Sequence, residues 1–245
     1  MDLTLQWRSP VLVIPERCRV EFRHAGAHVE LDLTDVSDVA FELADPVREF
    51  PSWPGKRHFN GYFWMSQMAR SVGFESLVER SFLMELDRLG SARAVSSQPM
   101  WLKSWEPELH EHFPDYFVRL SSGESVLVDV RPTELIDDDA REQFDRTSSL
   151  CQQVGWRYVV FEGLSPIRDA NLRFLLRYRE VERAERVPSI PPQGMLLRDV
   201  VDALGGGAGG LLRCYGMLWH KQLETNLEIE LSRRSVLRGA ASTCA

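Results

Sequence analysis

Two short apolar runs separated by a polar turn constrain this chain more than any other feature. Residues 113–120 and 125–130 flank a Ser-Ser-Gly-Glu segment, and this pattern predicts a β-hairpin. When the hairpin is reflected about its Ser-Gly centre, Asp115 lies opposite Val130 and beside Asp129. Two carboxylates from separate strands would therefore meet at the open end of the hairpin.

The position of Asp129 predicts a cation beside it. Asp129 follows the apolar run Val126–Val128, and a buried charge is costly unless it is paired. Carboxylate oxygens suit Mg²⁺ or Mn²⁺, with waters and a phosphate completing an octahedral shell. The backbone carbonyl of Val130 is a further candidate ligand. Arg131 shares the strand face of Asp129 and is a candidate for holding a scissile phosphate or stabilising its developing charge.

A helix before the hairpin supplies the third candidate carboxylate. Apolar residues recur at helical spacing from Phe74 to Leu89, and Gly90 is placed to end the helix. Glu75 and Glu79 lie one turn apart on the same helix face. We expect either of them to reach the edge of the sheet, where it would bind the metal or orient water.

Each of these residues also has a common structural explanation when it is taken alone. Asp115 follows a proline, as turn residues often do; Glu79 is typical of a solvated helix face; Asp129 and Arg131 could form a surface ion pair. His112, just before the Pro-Asp step, either approaches a phosphate or is a polar loop residue. The ordered combination of a helix glutamate, a hairpin aspartate and an Asp-x-Arg strand favours a metal-dependent nuclease.

The surrounding pattern predicts an α/β fold. Beside the hairpin we expect a strand over residues 92–102, a helix over 137–154 and a strand over 156–161. The order is helix, three strands, helix, strand. A hairpin followed by a helix and a returning strand gives a mixed sheet with helices on its faces.

Proline and glycine clusters divide the chain into three predicted parts. Residues 1–55 form a β-rich extension, 56–165 a nuclease core, and 166–245 an Arg-rich helix with a winged-helix-like region for DNA or partner binding. The elements predicted in the outer parts are strands at 12–14, 19–22, 28–33 and 223–230, and helices at 169–187, 195–203 and 211–222. The glycine run 205–210 is expected to be a flexible connection between two helices.

The charge of the chain is acidic for a DNA-binding protein. Its 245 residues carry a formal net charge of -7, although residues 164–240 hold 12 basic against 9 acidic residues. Because phosphate contacts supply much of the affinity for DNA, the basic part is a candidate for phosphate binding. The large excess of arginine over lysine is typical either of GC-rich coding sequence or of phosphate recognition by guanidinium groups.

Several other classes of protein are disfavoured. No apolar run approaches the ~20 residues of a membrane span, and the N-terminus lacks a signal-peptide pattern, so a cytoplasmic location is expected. The four cysteines form no CxxC pair and have no histidine at zinc-finger spacing, so neither a disulfide framework nor a zinc site is expected. Cys151 is a candidate core residue. Neither glycine motif of nucleotide-binding proteins occurs.

Five short motifs in the middle of the chain resemble those of one family. They are Phe74–Arg80, Gln98-Pro99, His112–Val118, Val128–Pro132, and Cys151 with Gly155-Trp156. The family is TnsA, the endonuclease subunits of heteromeric cut-and-paste transposases. The resemblance covers about residues 60–165, and the tail around Leu218-Trp219-His220 is also similar to the family's C-terminal part.

The resemblance implies a fold, a reaction and partners. The fold is the restriction-endonuclease-like PD-(D/E)xK core, with Glu79, Asp115 and the tripeptide Asp129-Val130-Arg131 at its catalytic positions. The reaction is Mg²⁺-dependent hydrolysis of phosphodiester bonds in double-stranded DNA at the 5′ ends of a transposon. The implied partners are a DDE-type transposase, which cuts the other strand, and an AAA+ ATPase regulator. Gln98 matches a family position on the central sheet and is implied to orient the site.

The third catalytic position departs from the family pattern, in which it is usually lysine. Arg131 cannot be deprotonated, so general-base work does not suit it. We expect it to clamp phosphate while the cation activates water. Two alternatives stay open at this stage: a DNA-binding or scaffold subunit with a degenerate site, and a restriction or phage-defence nuclease outside transposition.

Overall fold

The computed structural model describes Trp7 and residues 17–48, 59–105 and 109–240. Within them the strands are β1 (Arg17–His24), β2 (Ala27–Asp32), β3 (Gly61–Met65), β4 (Arg70–Phe74), β5 (Ala92–Ser97), β6 (Trp101–Trp105), β7 (His110–His112), β8 (Tyr116–Leu120), β9 (Ser125–Val130), β10 (Arg157–Phe161), β11 (Met195–Leu196), β12 (Leu223–Glu224) and β13 (Val236–Gly239). The α-helices there are α1 (Leu77–Leu89), α2 (Asp138–Gln153), α3 (Pro166–Leu175), α4 (Leu197–Ala203) and α5 (Gly207–Trp219). The strand predicted at residues 12–14 lies outside the described residues. Along the described chain, no helix has the length and apolar character needed to cross a membrane.

The chain divides into two compact units, residues 1–163 and 164–245. This division falls two residues before the predicted start of the C-terminal region at 166. The described N-terminal strands are not a separate extension, because residues 17–21 of β1 pair with β6 and the two strands share a four-stranded sheet in the order β2-β1-β6-β7. The described residues of the predicted extension, Trp7 and 17–48, therefore belong to the first unit.

The first unit is built on a mixed four-stranded sheet in the order β10-β9-β8-β5. β8 and β9 form the predicted hairpin. After α2 the chain returns as β10, which runs parallel to β9. The crossover from β9 through α2 to β10 places that helix on one face of the sheet, so the predicted mixed sheet is confirmed.

The register of the hairpin differs by one residue from the prediction. Tyr116 pairs with Val128, so continuing the pairing places Asp115 opposite Asp129 rather than opposite Val130. The reason is the turn: the Leu120 amide donates to the Glu124 carbonyl, which closes a loop of three residues. Gly123 in that loop has a φ of 92°, as the last residue of a three-residue hairpin loop requires. The predicted register placed the centre of the hairpin between Ser122 and Gly123, which requires a loop with an even number of residues.

The helices α1 and α2 cover opposite faces of this sheet. Phe82 of α1 stacks on Tyr116 and contacts Phe161, with ring centroids 5.0 and 5.5 Å apart. Phe144 of α2 contacts Tyr158 instead. Because side chains alternate along a strand, Tyr158 and Phe161 lie on opposite sides of β10. The sheet is thus buried on both faces, and polar groups can reach solvent only at its edges and ends.

The helix α1 begins later than predicted. Phe74 pairs with Gly61 as the last residue of β4, and Ser76 caps the helix by accepting a hydrogen bond of 3.1 Å from the Glu79 amide. Gly90 ends the helix with a φ of 72°, as predicted. The β3–β4 hairpin was not predicted, and its strand pairing accounts for the loss of the first helical turn.

The strand predicted over residues 92–102 is two strands in different sheets. β5 ends at Ser97, and Gln98 turns the chain with a φ of 45° before β6 begins at Trp101. The amide of Gln98 donates to the carbonyl of Asp115 at 2.7 Å. The change of sheet therefore occurs at the open end of the hairpin, where the candidate carboxylates lie.

The second unit has the order α3, β11, α4, α5, β12, β13, and β13 pairs with both β11 and β12. A helix is present where one was predicted at 169–187, but its predicted bounds are wrong: Ser165 and Pro166 start α3 earlier, and after Leu175 only a single 3-10 turn follows. The strand predicted at 223–230 is limited to β12.

The glycine run is not a flexible connection. α5 begins at Gly207, so most of the run is helical. A Cβ atom at Gly210 would lie 2.6 Å from the Val201 carbonyl oxygen, and real structures do not tolerate so short a contact. A glycine is therefore required there for the close packing of α5 on α4.

Candidate functional site

Asp115 is fixed by the backbone of the neighbouring strand. Its Oδ2 accepts a hydrogen bond of 2.7 Å from the Val130 amide. Burial and the negative charges of Asp129 and Glu79 raise the pKa of Asp115 well above its ordinary value, while the Val130 amide and the Arg48 guanidinium act in the opposite direction. Asp129 and Glu79, which are both remote from Asp115 in sequence, are thus close enough for their charges to act on it.

Asp129 is 4% exposed and is held by two side chains. Its Oδ2 lies 2.7 Å from His112 Nε2, and it also accepts a hydrogen bond from the hydroxyl of Tyr158. Burial and the charge of Asp129 raise the pKa of Tyr158 well above its ordinary value, so the phenol stays protonated and donates. His112 was expected to approach a phosphate or to be a loop residue, and it instead contacts a candidate metal ligand.

The two aspartates open on one cavity of about 380 Å³. It is lined by residues of the hairpin end and of the first turns of α2. These are His112, Phe113, Asp115, Asp129, Val130, Arg131, Asp137, Asp139, Ala140, Gln143 and Phe144. The cavity is wide enough for a phosphate group together with hydrated ions, and its polar lining suits charged groups rather than an apolar ligand.

Arg131 and Val130 line this cavity beside Asp129. Arg131 is exposed, and its Nε donates to the carbonyl of Leu135 at 3.0 Å. That single bond fixes the stem of the side chain and leaves the terminal nitrogens of the guanidinium for another acceptor. The carbonyl of Val130 as a metal ligand stays a prediction, since the contact observed for this residue is the one its amide makes with Asp115.

Glu79 caps the helix on which it lies. Its Oε2 accepts a hydrogen bond of 2.8 Å from the Glu75 amide, and its Oε1 accepts one of 2.8 Å from the Ser76 hydroxyl. Together with the Ser76 bond to the Glu79 amide, this is a variant of the capping box, in which the glutamate accepts from the amide of the residue before the N-cap instead of the N-cap amide. The Tyr116 hydroxyl donates to Glu79 as well, at 3.3 Å. Burial is the main cause that raises the pKa of Glu79.

Glu79 is not among the residues that line the cavity, although its charge acts on Asp115. The structure therefore brings together Asp115, Asp129 and Arg131 as predicted, and it gives Glu79 a structural role beside them. Direct metal binding by Glu79 stays a prediction.

Gln98 positions Asp115 through the backbone. Its amide bonds the Asp115 carbonyl, and its own carbonyl accepts a hydrogen bond of 3.0 Å from the Val47 amide. The side-chain amide is buried, with 2% exposure, and its nitrogen and oxygen have no hydrogen-bond partner in the part of the chain that the structure describes. Gln98 thus lies at the site as the resemblance implies, by main-chain contacts that the resemblance did not specify.

Glu75 forms an ion pair with Arg48, from the N-terminal segment, rather than with a residue of the aspartate pair. Its Oε2 lies 2.7 Å from Nη2 of Arg48. Arg48 also lies over the ring of Phe113, with its guanidinium carbon 5.5 Å from the ring centroid. A positive charge that sequence reasoning did not assign to the site therefore stands at its margin.

The donor set fits a hard divalent cation. Asp115 and Asp129 each use one carboxylate oxygen in hydrogen bonds to the described residues, which leaves the second oxygen of each available. Mg²⁺ commonly binds through one or two carboxylates and completes its octahedron with waters and phosphate oxygens. Among the described residues, no group of three or more His, Cys, Asp or Glu side chains is arranged as a complete metal site.

The sequence analysis did not assign three residues to the site: Ser76, Tyr158 and Arg48. The role of Ser76 could have been predicted, because Ser76 and Glu79 form the Ser-x-x-Glu pattern that is typical of a capping box. Tyr158 and Arg48 carried no such signal, because the pairing of β10 with β9 and the contact of Val47 with Gln98 are decided by the tertiary structure.

Comparison of the chain with models of known protein families gives no match, and comparison with curated proteins gives none either.

Proposed function

We propose that the chain is a metal-dependent DNA endonuclease with a restriction-endonuclease-like core. The observation that carries the proposal is the meeting of Asp115 and Asp129 on one cavity, beside the guanidinium of Arg131. By the resemblance of its motifs, its place is the endonuclease subunit of a heteromeric transposase, acting at the 5′ ends of the element with a DDE-type transposase and an AAA+ ATPase regulator.

The roles of the residues follow from their contacts. Asp115 and Asp129 would hold Mg²⁺ or Mn²⁺ through the oxygens that face the cavity. When bound, the cation would act as a Lewis acid on the scissile phosphate and on the attacking water. His112 and Tyr158 keep the Asp129 carboxylate in one orientation, and the Val130 amide does the same for Asp115. Arg131 would bind a non-bridging phosphate oxygen and stabilise charge that develops there, since its guanidinium is always protonated.

We assign DNA binding in the second unit to a winged-helix module. The order α3, β11, α4, α5, β12, β13 supports this assignment, because helix, strand, two helices and a two-stranded wing is the arrangement of such modules. The arginines Arg233 and Arg234 are exposed in the segment between β12 and β13, where a wing would contact phosphate.

A nicking assay on supercoiled plasmid with Mn²⁺ or Mg²⁺ tests the enzyme proposal. We expect the nicking rates of Asp115→Ala and Asp129→Ala to be at least 100-fold below that of the wild type, because each change removes one of the two charged ligands. Asp139→Ala is the matched control: Asp139 lines the same cavity from α2, makes none of the contacts of the pair, and should keep most of the activity. Equal cleavage by the wild type and both variants would contradict the assignment of Asp115 and Asp129 as the catalytic metal ligands.

Calorimetric titration with Mn²⁺ separates the enzyme from a scaffold subunit on the same fold. The wild type should bind the ion with micromolar to millimolar affinity, and Asp115→Ala should abolish the heat. If the wild type binds DNA but takes up neither Mn²⁺ nor Mg²⁺ and does not nick, the scaffold function replaces the enzymatic one. Activity that requires the partner subunits would leave Mn²⁺ uptake intact.

A further inference from the structure

Two successive backbone hydrogen bonds place the segment that carries Arg48 beside the candidate site. The Val47 amide donates to the Gln98 carbonyl at 3.0 Å, and the Gln98 amide donates to the Asp115 carbonyl at 2.7 Å. Residue 48 is therefore held beside the open end of the β8–β9 hairpin, although it is 67 residues from Asp115 in sequence. The left-handed backbone of Gln98 makes this connection possible, because it turns the chain out of β5 at that point.

The side chain of Arg48 lies at the margin of the cavity. Its Nη2 pairs with Glu75 at 2.7 Å, and its guanidinium covers the ring of Phe113, which itself lines the cavity. Its positive charge also acts on Asp115, where it favours the ionised carboxylate. These contacts hold the planar guanidinium on one edge and on one face.

The guanidinium keeps most of its hydrogen-bonding capacity. It has five N–H donors, and within the described part of the chain one hydrogen bond, to Glu75, is observed. The side chain is 46% exposed. A half-exposed guanidinium with further N–H donors is suited to a phosphate, which a guanidinium can bind through two parallel hydrogen bonds.

A cation at the margin of the cavity would offset the negative charge that approaching DNA meets. A DNA strand that approaches Asp115 and Asp129 brings phosphates toward two carboxylates, and Glu79 adds a third negative charge nearby. Arg131 can neutralise one phosphate from within the cavity. We propose that Arg48 contacts a second backbone phosphate of the bound DNA at the margin of the cavity, and this inference rests on the proposed nuclease function.

The salt dependence of DNA binding tests the proposal without cleavage. The full chain and its variants are titrated onto a labelled 30-base-pair duplex in EDTA, with dissociation constants measured from 50 to 300 mM NaCl. Loss of one phosphate contact lowers the slope of log Kd against log salt by about 0.9. We expect Arg48→Ala to show that reduction and to bind about tenfold more weakly at 100 mM salt. Arg48→Lys should keep the slope, because a point charge still releases the counterion.

Arg19 offers a matched control. It is also half exposed (51%), pairs with a glutamate, Glu30, and lies over an aromatic ring, that of Trp105, but it lines a different cavity. Arg19→Ala should leave the slope unchanged. Glu75→Gln gives a test in the opposite direction: it removes the competing carboxylate, so the variant should bind DNA more tightly than the wild type.

Each outcome decides for or against the inference. An unchanged slope in Arg48→Ala, an equal reduction in Arg19→Ala, or weaker binding by Glu75→Gln would overturn it, as would a wild type that does not bind the duplex. The nicking assay and Mn²⁺ uptake test the proposed function separately. If Arg48→Ala lowers the salt slope as predicted but the wild type binds no metal, the DNA contact is supported and the nuclease function is contradicted. Melting temperatures of all variants, measured by circular dichroism, exclude loss of fold as the cause.

Discussion

The carboxylate of Asp115 accepts a hydrogen bond of 2.7 Å from the backbone amide of Val130, across the open end of the β8–β9 hairpin. A backbone donor cannot rotate away, so this bond fixes the carboxylate without any contribution from a mobile side chain. The pairing of the strands continues to place Asp115 opposite Asp129. Two negative charges are thus held together by the sheet itself, which is the arrangement that a divalent cation stabilises.

Asp115→Asn should separate activity from stability. The amide oxygen can still accept the Val130 hydrogen bond, but the charge that binds the cation is lost, so metal-dependent nicking should fall at least 100-fold. Burial and repulsion from Asp129 and Glu79 raise the pKa of Asp115, so the variant should be at least as stable as the wild type in EDTA at neutral pH. Thermal melts and nicking assays check the two effects, and a marked loss of stability would contradict this account.

Tyr158→Phe should weaken metal binding while it keeps the fold. The change deletes one hydrogen bond to the buried Asp129 carboxylate, and a bond to a charged group contributes about 1.5–3 kcal/mol. Supporting contacts of metal ligands typically matter 10–100-fold in affinity, which Mn²⁺ calorimetry can measure. Tyr178→Phe, in the second unit, is the control and should leave the affinity unchanged. A wild-type affinity in Tyr158→Phe would show that His112 alone orients Asp129.

Ser76→Ala should destabilise the fold without a specific effect on catalysis. It removes the hydroxyl that caps α1, at a cost of about 1 kcal/mol in the free energy of unfolding. Urea unfolding measures this cost, and nicking per folded molecule should stay near the wild-type rate. Glu79→Gln provides the comparison, since it keeps one acceptor oxygen, replaces the other with an N–H donor and loses the charge near Asp115. Loss of nicking in Glu79→Gln at unchanged stability would restore Glu79 to the metal site.

Two neighbouring glycines of α5 should respond in opposite directions to alanine. Gly209 has only the Arg213 side chain near a built Cβ, at 3.8 Å, so Gly209→Ala should stabilise by up to about 1 kcal/mol through helix propensity. Gly210→Ala brings its Cβ to 2.6 Å from the Val201 carbonyl oxygen and should destabilise by about 1–3 kcal/mol. Urea unfolding of both variants measures the difference, and similar effects of the two changes would contradict the packing of α5 on α4.

Alkaline pH should weaken the protein through Cys214. Burial raises the pKa of its thiol from 9.0 to about 12, so the folded state keeps the proton at pH values where the unfolded chain loses it. The contribution to stability is complete below pH 9 and is lost progressively as the pH rises toward 12. Urea unfolding at pH 8 and pH 10.5 should therefore show a smaller decline for Cys214→Ala than for the wild type. The same decline in both proteins would assign the alkaline loss to other groups.

The hairpin, the end of α1 and the presence of Asp115 and Asp129 at the site could be predicted from local sequence alone. The alternation and the turn of residues 113–130 gave the hairpin, and Gly90 ended α1 where predicted, because these features depend on neighbours in the chain. The exact register did not follow, since a three-residue loop and an even loop differ by a single left-handed residue, Gly123. The Ser-x-x-Glu pattern of Ser76 and Glu79 is also a local sequence signal. It indicates helix capping, whereas the sequence analysis assigned Glu79 to the metal.

The remote groups at the site, Tyr158 and Arg48, could not be predicted, because their positions depend on how distant segments pack together. Tyr158 contacts Asp129 because β10 returns parallel to β9. Arg48 lies at the margin of the site because the chain leaves β5 at Gln98, whose carbonyl accepts a hydrogen bond from the Val47 amide. Both arrangements arise from pairings between segments that are far apart in sequence. Such pairings are selected by the burial of both sheets in one core, a property of the whole unit that no short stretch of residues encodes.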